Sequence, residues 1–270
     1  FRRVLFRSSD QTVALNSDVL VNIDLNQVFH LHNTTKPKVT VVYKKLPKEL
    51  ISDVNSVLEI DDSDKVLGHE LFQGGDKEVY NMSTDIFVVD TPFLIEKLEE
   101  EAAKEEPRKL RYVLRDLAVA ENAFAYEYTG YLSNIHSVKA YFDANLDMLE
   151  SQKFYKLFAP NQKVYTKVKN EEPTYYADSS EVKLSQFASG SIVRGKVENS
   201  MISRNVDFSE GSSVSHSIIF PRVTVGKGAT VEYAIVDKGV EIAEGVTIRG
   251  TEDNPVVIKK GSVVTEDIVR

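Results

Sequence analysis

Between Met201 and Gly250 the sequence repeats itself with a period of 17 residues. Four sets of apolar residues keep this step: Ile202, Ile219 and Val236; Val206, Val223 and Val240; Phe208, Val225 and Ile242; Val214, Val231 and Ile248. A fixed period indicates stacked, near-identical units. The apolar positions lie about six residues apart within each unit, which is too short for a helix–turn–helix unit and is typical of short strands winding as a β-helix with three faces per coil.

Glycines recur at one corner of each unit, at Gly211, Gly228 and Gly245. β-Branched residues avoid positive φ, so we expect Gly and Asn at the corners of the coil and Val or Ile inside it. The repeat predicts an architecture and leaves the function open, because many proteins use such stacked coils only for packing.

Composition narrows the class of protein. The chain has 270 residues, a formal net charge of −8, a pI of about 5.3 and 42% hydrophobic residues. An acidic chain of this kind argues against a nucleic-acid or anionic-membrane surface. It has no cysteine, which excludes disulfides, thiolate nucleophiles and Cys-bound metals. No apolar run approaches the roughly 18 residues of a membrane span. We therefore expect a soluble, cytoplasmic protein.

The first eight residues are basic and apolar, unlike the acidic chain that follows. They are too short for a secretory signal, although another targeting peptide remains an alternative. We expect residues 1–8 to be a non-native leader, joined to a protein whose N-terminal part is missing.

Strand and helix patterns alternate over residues 9–150. Continuous apolar runs at 12–15, 39–43 and 85–89 predict buried strands, and 56–60 with 66–67 predicts a hairpin. Helices are predicted after Thr91, over 110–119 and after Ser137, with Thr91 and Ser137 as N-caps. Alternation of this kind predicts an α/β sheet of largely parallel strands. We expect a linker at 151–180 and the β-helix at 181–270.

Asp18 follows the first predicted strand. Open α/β sheets bind ligands beyond the carboxyl ends of their strands, which would make this carboxylate part of a site. It could equally cap the next helical turn. The residues alone leave both readings open.

Four segments resemble the glucose-1-phosphate adenylyltransferases (ADP-glucose pyrophosphorylases). Residues 17–24 (Ser-Asp-Val-Leu-Val-Asn-Ile-Asp) resemble that family's Gly-Asp-His-Ile-Tyr-Lys-x-Asp. Residues 81–87 (Asn-Met-Ser-Thr-Asp-Ile-Phe) resemble Ser-Met-Gly-Ile-Tyr-x-Phe. Residues 130–135 with 144–149 resemble Gly-Tyr-Trp-x-Asp-Val and Ala-Asn-x-x-Leu-Leu, and 195–200 resembles Gly-x-Val-x-Asn-Ser. The resemblance implies a nucleotidyltransferase (Rossmann-like) α/β domain, truncated at its N-terminus, followed by a left-handed parallel β-helix of hexapeptide repeats.

The resemblance also implies an activity. The family joins ATP and glucose 1-phosphate into ADP-glucose and pyrophosphate, and carboxylates hold a Mg²⁺ ion that neutralises the phosphates. Asp18 matches the first metal-binding Asp, and the second falls at Asn134, which lacks the charge. The Lys that binds the sugar phosphate falls near Leu71. Three further positions match substrate-binding segments of the family: Ser83, Arg115 and Tyr131.

By this resemblance, a metal-binding carboxylate is replaced by Asn134 and a phosphate-binding Lys by Leu71. The chain resembles the regulatory, GlgD-type subunit of this family, which implies a catalytic partner subunit in a tetramer and a role in glycogen synthesis. An active sugar-1-phosphate nucleotidyltransferase is the alternative. A hexapeptide acyltransferase or scaffold is a further one, with His216 as its candidate residue, although a surface histidine is the favoured reading there.

Overall fold

The computed structural model describes residues 10–158, 164–165, 169 and 171–270. The predicted leader lies outside the described residues, as does part of the predicted linker. The chain divides into two compact units, Phe1–His136 and Ser137–Arg270. Among the described helices, none combines the length and apolar character that a membrane span requires.

The first unit contains eight strands and three helices among its described residues. The strands are β1 (Gln11–Ala14), β2 (Val19–Val21), β3 (Val39–Pro47), β4 (Ser56–Ile60), β5 (Val66–Leu71), β6 (Val79–Asp90), β7 (Phe124–Glu127) and β8 (Leu132–Asn134). The helices are α1 (Leu25–Thr35), α2 (Thr91–Ala102) and α3 (Leu110–Ala120), and a 3₁₀ turn spans Lys48–Leu50.

Six of these strands form one mixed sheet in the order β5-β4-β6-β3-β7, with β1 paired to β6. The prediction of largely parallel strands is wrong, because only β3 and β7 run parallel and the other pairs are antiparallel. Short apolar runs specify a strand but not its direction. The connections decide the direction, and the short turn between β4 and β5 allows only an antiparallel pair.

The strand β1 also differs from its prediction. It pairs antiparallel with β6 alone and is half-buried, and Leu15 just after it is 61% exposed. Asp18 therefore does not follow a buried parallel strand. It does not cap a helix either, since the N-cap of α1 is Asp24, whose side chain accepts from the Asn26 amide at 3.0 Å.

Alternate residues of the central strands face opposite layers, as the two-residue period of a strand requires. Val39 and Val41 of β3 pack in a core with Leu114 of α3. Val42 packs on the other side, with Val28 of α1. Helices thus cover both faces, which explains why these strands read as continuous apolar runs.

The two predicted N-caps have different outcomes. Ser137 caps its helix, and its hydroxyl accepts from the Ala140 amide at 3.0 Å. Thr91 is instead the first residue of α2, with Asp90 as N-cap. The Thr91 hydroxyl bonds to Thr12 on β1 at 2.9 Å, so a tertiary contact takes the group that the local pattern assigned to capping.

The second unit begins with helices α4 (Val138–Leu146) and α5 (Ser151–Leu157), separated by a 3₁₀ turn at Asp147–Leu149. Seventeen short strands follow: β9 (Tyr175–Tyr176), β10 (Glu181–Lys183), β11 (Gln186–Phe187), β12 (Ile192–Val193), β13 (Lys196–Glu198), β14 (Met201–Ile202), β15 (Asp207–Phe208), β16 (Ser213–Ser215), β17 (Ile218–Ile219), β18 (Thr224–Val225), β19 (Thr230–Glu232), β20 (Ala234–Val236), β21 (Glu241–Ile242), β22 (Thr247–Arg249), β23 (Val256–Ile258), β24 (Val263–Val264) and β25 (Ile268–Val269).

Every third strand joins the same parallel sheet, so three sheets wind into a β-helix. The predicted ladders are confirmed: Val214 pairs with Val231, and Val231 with Ile248, while Phe208 pairs with Val225. These apolar side chains form a single buried core cluster inside the coils. Periodicity predicted the coils between Lys196 and Arg249 because each of them pairs with the next at a step of 17 residues.

The corners are only partly as predicted. Gly211, Gly228 and Gly245 do adopt positive φ. Another corner places Asn199, His216 and Tyr233 in the left-handed region, with φ of 44°, 44° and 47°. The expectation of Gly or Asn at every corner is therefore wrong. The rings of His216 and Tyr233 stack with centroids 4.8 Å apart, so side-chain packing accompanies an unfavourable backbone conformation there.

Candidate functional site

The described residues of the first unit form a polar cleft that we call the arginine cleft. It is lined by Asn16, Asp18, Ser83, Asp85, Arg111 and Arg115, with Val19, Val54, Asn55, Ser56 and Thr84 beside them. The two arginines stand four residues apart on α3, which places them one turn apart on one face of that helix. The carboxylates come from the segment before β2 and from β6.

A bulge in β6 sets the direction of Asp85. Val42 of β3 pairs with Ile86 and Tyr43 pairs with Ser83, so two residues of β6, Thr84 and Asp85, have no partner on β3. Asp85 lies in the left-handed region with φ of 52°. The hydroxyl of Thr84 donates to the Val42 carbonyl at 2.9 Å, which ties the bulge to the neighbouring strand. Bulges of this kind re-aim a side chain, here the Asp85 carboxylate.

Asp85 and Arg115 form a buried, two-point ion pair. Nη2 of Arg115 donates to Oδ2 of Asp85 at 2.7 Å, and Nε donates to Oδ1 at 3.2 Å. The two residues are only 8% and 7% exposed. Parallel hydrogen bonds between guanidinium and carboxylate combine geometric specificity with strength, and they leave neither charge unpaired in the interior.

Arg111 links this pair to Asp18. Its Nη2 atom lies 3.4 Å from Oδ2 of Asp85 and 3.5 Å from Oδ2 of Asp18. Arg111 and Asp18 are both about 40% exposed at the side chain, so this link faces solvent. The two guanidinium groups and two carboxylates balance each other in charge.

These side chains fill the cleft. The cavity they bound has a volume of about 10 Å³, which is room for roughly one water molecule. Sites for small molecules usually enclose roughly 300–1,000 Å³. The described part of the cleft is therefore closed by its own ion pairs.

His69 of β5 lies beside the cleft. Its Nε2 atom is 2.9 Å from the hydroxyl of Ser56, and its buried Nδ1 atom has no hydrogen-bond partner among the described residues. The pKa of His69 is lowered from 6.5 to about 4, mainly by burial; the charge of Asp85 opposes this effect and that of Arg115 adds to it. The ring is therefore neutral at pH 7.

Three of the predicted site residues come together, namely Asp18, Ser83 and Arg115. The hydroxyl of Ser83 accepts from the Asp85 amide at 3.2 Å and so supports the bulge. Leu71 and Tyr131 are not among the residues that line the cleft, and Leu71 is 49% exposed on β5. The roles assigned to these residues by resemblance remain predictions.

Asn134 is buried on β8, next to the cleft. Its Nδ2 atom donates to Oδ1 of Asn55 at 2.7 Å, and Nδ2 of Asn55 donates back to Oδ1 of Asn134 at 3.2 Å. Pairing of β2 with β8 places Val19 opposite Asn134, so the two predicted metal positions, Asp18 and Asn134, are neighbours across one ladder.

The side chains of Asp18 and Asn134 do not fit a Mg²⁺ ion. That ion prefers oxygen ligands that include carboxylates. The carboxylate of Asp18 faces Arg111, and the amide oxygen of Asn134 accepts from Asn55. Among the described residues, no three or more His, Asp or Glu side chains gather where they could hold a metal ion.

Sequence reasoning missed Asp85 and Arg111 as site residues. Arg111 and Arg115 at a spacing of four on one helix were a usable signal. The apolar run at 85–89 predicts a strand that begins at Asp85, and the sequence offers no sign of the left-handed backbone of this residue. The pairing of Asn55 with Asn134 joins positions 79 residues apart, which a local pattern does not predict.

His216 does not have the setting of an acyltransferase base. Its ring is half-buried against Tyr233, and its Nε2 atom lies 3.2 Å from Nδ2 of Asn199 one coil below. Both contacts are made to residues at the same corner of neighbouring coils, so the ring packs one coil against the next.

Comparisons with known proteins agree with this architecture. The family model described as "GlmU-like, C-terminal hexapeptide" matches residues 170–269, which contain all the described strands of the β-helix. The chain is 34% identical over 265 residues to the glucose-1-phosphate adenylyltransferase of Clostridium acetobutylicum, covering 97% of this chain and 69% of that protein.

Two further relatives carry the name "Glycogen biosynthesis protein GlgD". The one from Bacillus subtilis is 34% identical over 197 residues, covering 73% of this chain and 55% of that protein. The one from Geobacillus stearothermophilus is 52% identical over 127 residues, covering 47% of this chain and 37% of that protein. The chain thus spans about half the length of several curated relatives that it matches.

Proposed function

The chain belongs to the glucose-1-phosphate adenylyltransferase family, and from this premise we propose that it is a regulatory subunit of such an enzyme in glycogen biosynthesis. The reaction served by the assembly is the formation of ADP-glucose and pyrophosphate from ATP and glucose 1-phosphate. The subunit itself contributes little or no catalysis. Similarity to the two proteins named GlgD supports this choice within the family.

The observation that carries the proposal is the state of the two predicted metal positions. Transfer of the adenylyl group from ATP to a sugar phosphate requires a cation that neutralises the charge on the phosphate oxygens. Here Arg111 faces Asp18, and the amide of Asn134 is paired with Asn55. Neither position offers a free carboxylate to a Mg²⁺ ion, so we do not assign this cofactor to the chain.

We include a catalytic partner subunit in the proposal, in a hetero-oligomer that we expect to be a tetramer. A subunit without its own metal site affects the flux only by binding a chain that has one. ATP and glucose 1-phosphate are then substrates of that partner. A cytoplasmic location, which the absence of cysteine favours, belongs to the same proposal.

The test is an assay of ADP-glucose formation with ATP, Mg²⁺ and glucose 1-phosphate. The full-length protein is measured alone, the catalytic subunit of the same cell is measured alone, and then the two are mixed. We expect no turnover by this protein alone and an altered KM or kcat of the partner in the mixture. Turnover alone at ordinary enzyme rates would instead identify an active nucleotidyltransferase, the second reading of the sequence.

A further inference from the structure

We propose that Asp85 is an internal counter-ion that occupies an anion-binding position formed by Arg111 and Arg115. The ligand class of that position is a phosphate or phosphate monoester. The inference rests on the proposed function: a subunit with little or no catalysis can have a substrate position that is filled by its own carboxylate and therefore binds no substrate. Its physical basis lies in the contacts of Asp85.

Several donors converge on this one carboxylate. Arg115 reaches it with two nitrogens at 2.7 and 3.2 Å, and Nη2 of Arg111 lies at 3.4 Å. The side-chain Nδ2 atom of Asn16 lies 3.5 Å from the same Oδ2 atom. The planar donors of arginine match the oxygens of a phosphate as well as those of a carboxylate. A phosphate group has more acceptor oxygens than a carboxylate and can therefore accept from all of these donors.

The backbone brings the carboxylate to the arginines. Asp85 lies in the bulge with a φ of 52°, a conformation that an L-residue rarely adopts. Without Asp85, Arg115 would lose the carboxylate that it pairs with, and Arg111 would keep only Asp18. The cleft would then carry one excess positive charge and additional space, with the half-exposed Arg111 at its solvent side.

Two substitutions remove the carboxylate and keep the backbone. Asp85→Gly fits the left-handed conformation and leaves the anion position empty. Asp85→Asn also tolerates that conformation and retains most of the side-chain shape, but it removes the charge. The matched control is Asp64→Gly, because Asp64 is an exposed aspartate in the same unit whose φ of 58° is also left-handed.

The experiment measures the thermal stability of the full-length protein with increasing inorganic phosphate, against sodium chloride at the same ionic strength. We expect Asp85→Gly to unfold at a lower temperature than the natural protein and 20 mM phosphate to raise its Tm by about 5 °C. Asp85→Asn should respond in the same direction. The natural protein and Asp64→Gly should respond at least threefold less.

A second variant tests the position of the anion. Adding Arg115→Met to Asp85→Gly should abolish the response to phosphate. Glucose 1-phosphate, titrated in parallel, distinguishes the source of the phosphate group: a stronger response than to inorganic phosphate indicates a sugar phosphate, and an equal response indicates the phosphate group alone. Either result supports the site.

The inference is wrong if neither Asp85 variant responds to phosphate more than Asp64→Gly. It is also wrong if both variants fail to fold and phosphate does not restore them, since the proposal requires phosphate to replace the carboxylate. These readouts involve binding only. A negative result would leave the regulatory role, which is read from the kinetics of the partner, unaffected.

Discussion

Asn55 and Asn134 exchange hydrogen bonds between their side-chain amides, with N–O distances of 2.7 and 3.2 Å. Nδ2 of Asn134 also lies 3.3 Å from the Leu50 carbonyl. Asn134, the position that resembles a metal-binding aspartate, therefore needs a hydrogen-bond donor, which an amide supplies and a carboxylate does not. A carboxylate would face two acceptor oxygens.

The substitution Asn134→Asp should therefore destabilise the protein, although it restores the residue of the resembling motif. We expect a loss of about 1–3 kcal/mol at pH 7, because two hydrogen bonds are lost and a buried charge faces the carbonyl oxygens of Asn55 and Leu50. Urea unfolding at equilibrium measures the loss. Asn254→Asp, on an exposed loop, is the control and should change the free energy of unfolding by less than about 0.5 kcal/mol. Equal effects of the two substitutions would contradict the role of the amide pair.

His69 should make stability depend on pH below neutrality. Its pKa in the folded protein is about 4, mainly because of burial, and its ordinary value is 6.5. The unfolded chain therefore binds the proton first. Stability is fully present above pH 6.5 and is lost as the pH falls toward 4, by about 3 kcal/mol at most.

The measurement is the free energy of unfolding between pH 7.5 and pH 4 for the natural protein and for His69→Gln. The variant should show a shallower decline over this range, because glutamine does not titrate. His30→Gln replaces an exposed histidine on α1 and should leave the slope unchanged. Parallel curves for the natural protein and His69→Gln would refute the assignment.

Thr84→Val should loosen the bulge that carries Asp85. Its hydroxyl donates to the Val42 carbonyl at 2.9 Å and lies 3.3 Å from the Ile86 amide, and the residue is 1% exposed. Valine keeps the shape but removes both of these buried hydrogen bonds, at a cost of about 1–3 kcal/mol. Chemical denaturation gives the value, with Thr224→Val on the exposed side of β18 as control. A cost no larger than that of the control would mean that the hydroxyl does not stabilise the bulge.

Ser217→Ala should destabilise the β-helix. The buried Ser217 hydroxyl donates to the Ser215 carbonyl at 2.7 Å and accepts from the Ala234 amide of the next coil at 3.1 Å. Alanine removes both hydrogen bonds and leaves the Ala234 amide without this partner, whereas the Ser215 carbonyl still accepts from the Tyr233 amide. We expect a loss of about 1–2 kcal/mol. Thermal unfolding followed by circular dichroism tests this, with Ser213→Ala on β16 as the control. Unchanged unfolding of Ser217→Ala would show that the coils do not need this hydroxyl.

The arginine cleft was predictable only in part. Resemblance selected Asp18, Ser83 and Arg115, and the structure brings these three residues together. It did not select Asp85 or Arg111, although Asp85 makes the closest ion pair of the cleft. The reason is that a buried salt bridge depends on where a bulge points a side chain, and a bulge is set by the register of two strands distant in sequence.

The amino-acid pattern was enough to predict the β-helix, because between Lys196 and Arg249 each coil pairs with the next one 17 residues later and inward positions repeat at that step. It also indicated where β1, β3, β4, β5 and β6 lie, but it did not indicate β2 or β8. The directions of those strands followed from the folded chain, since the side-chain pattern of a strand is the same for both directions and the connections select one. The tertiary structure likewise decided that Asp85 neutralises Arg115 and that Asn55 pairs with Asn134, because these contacts join residues 30 and 79 positions apart.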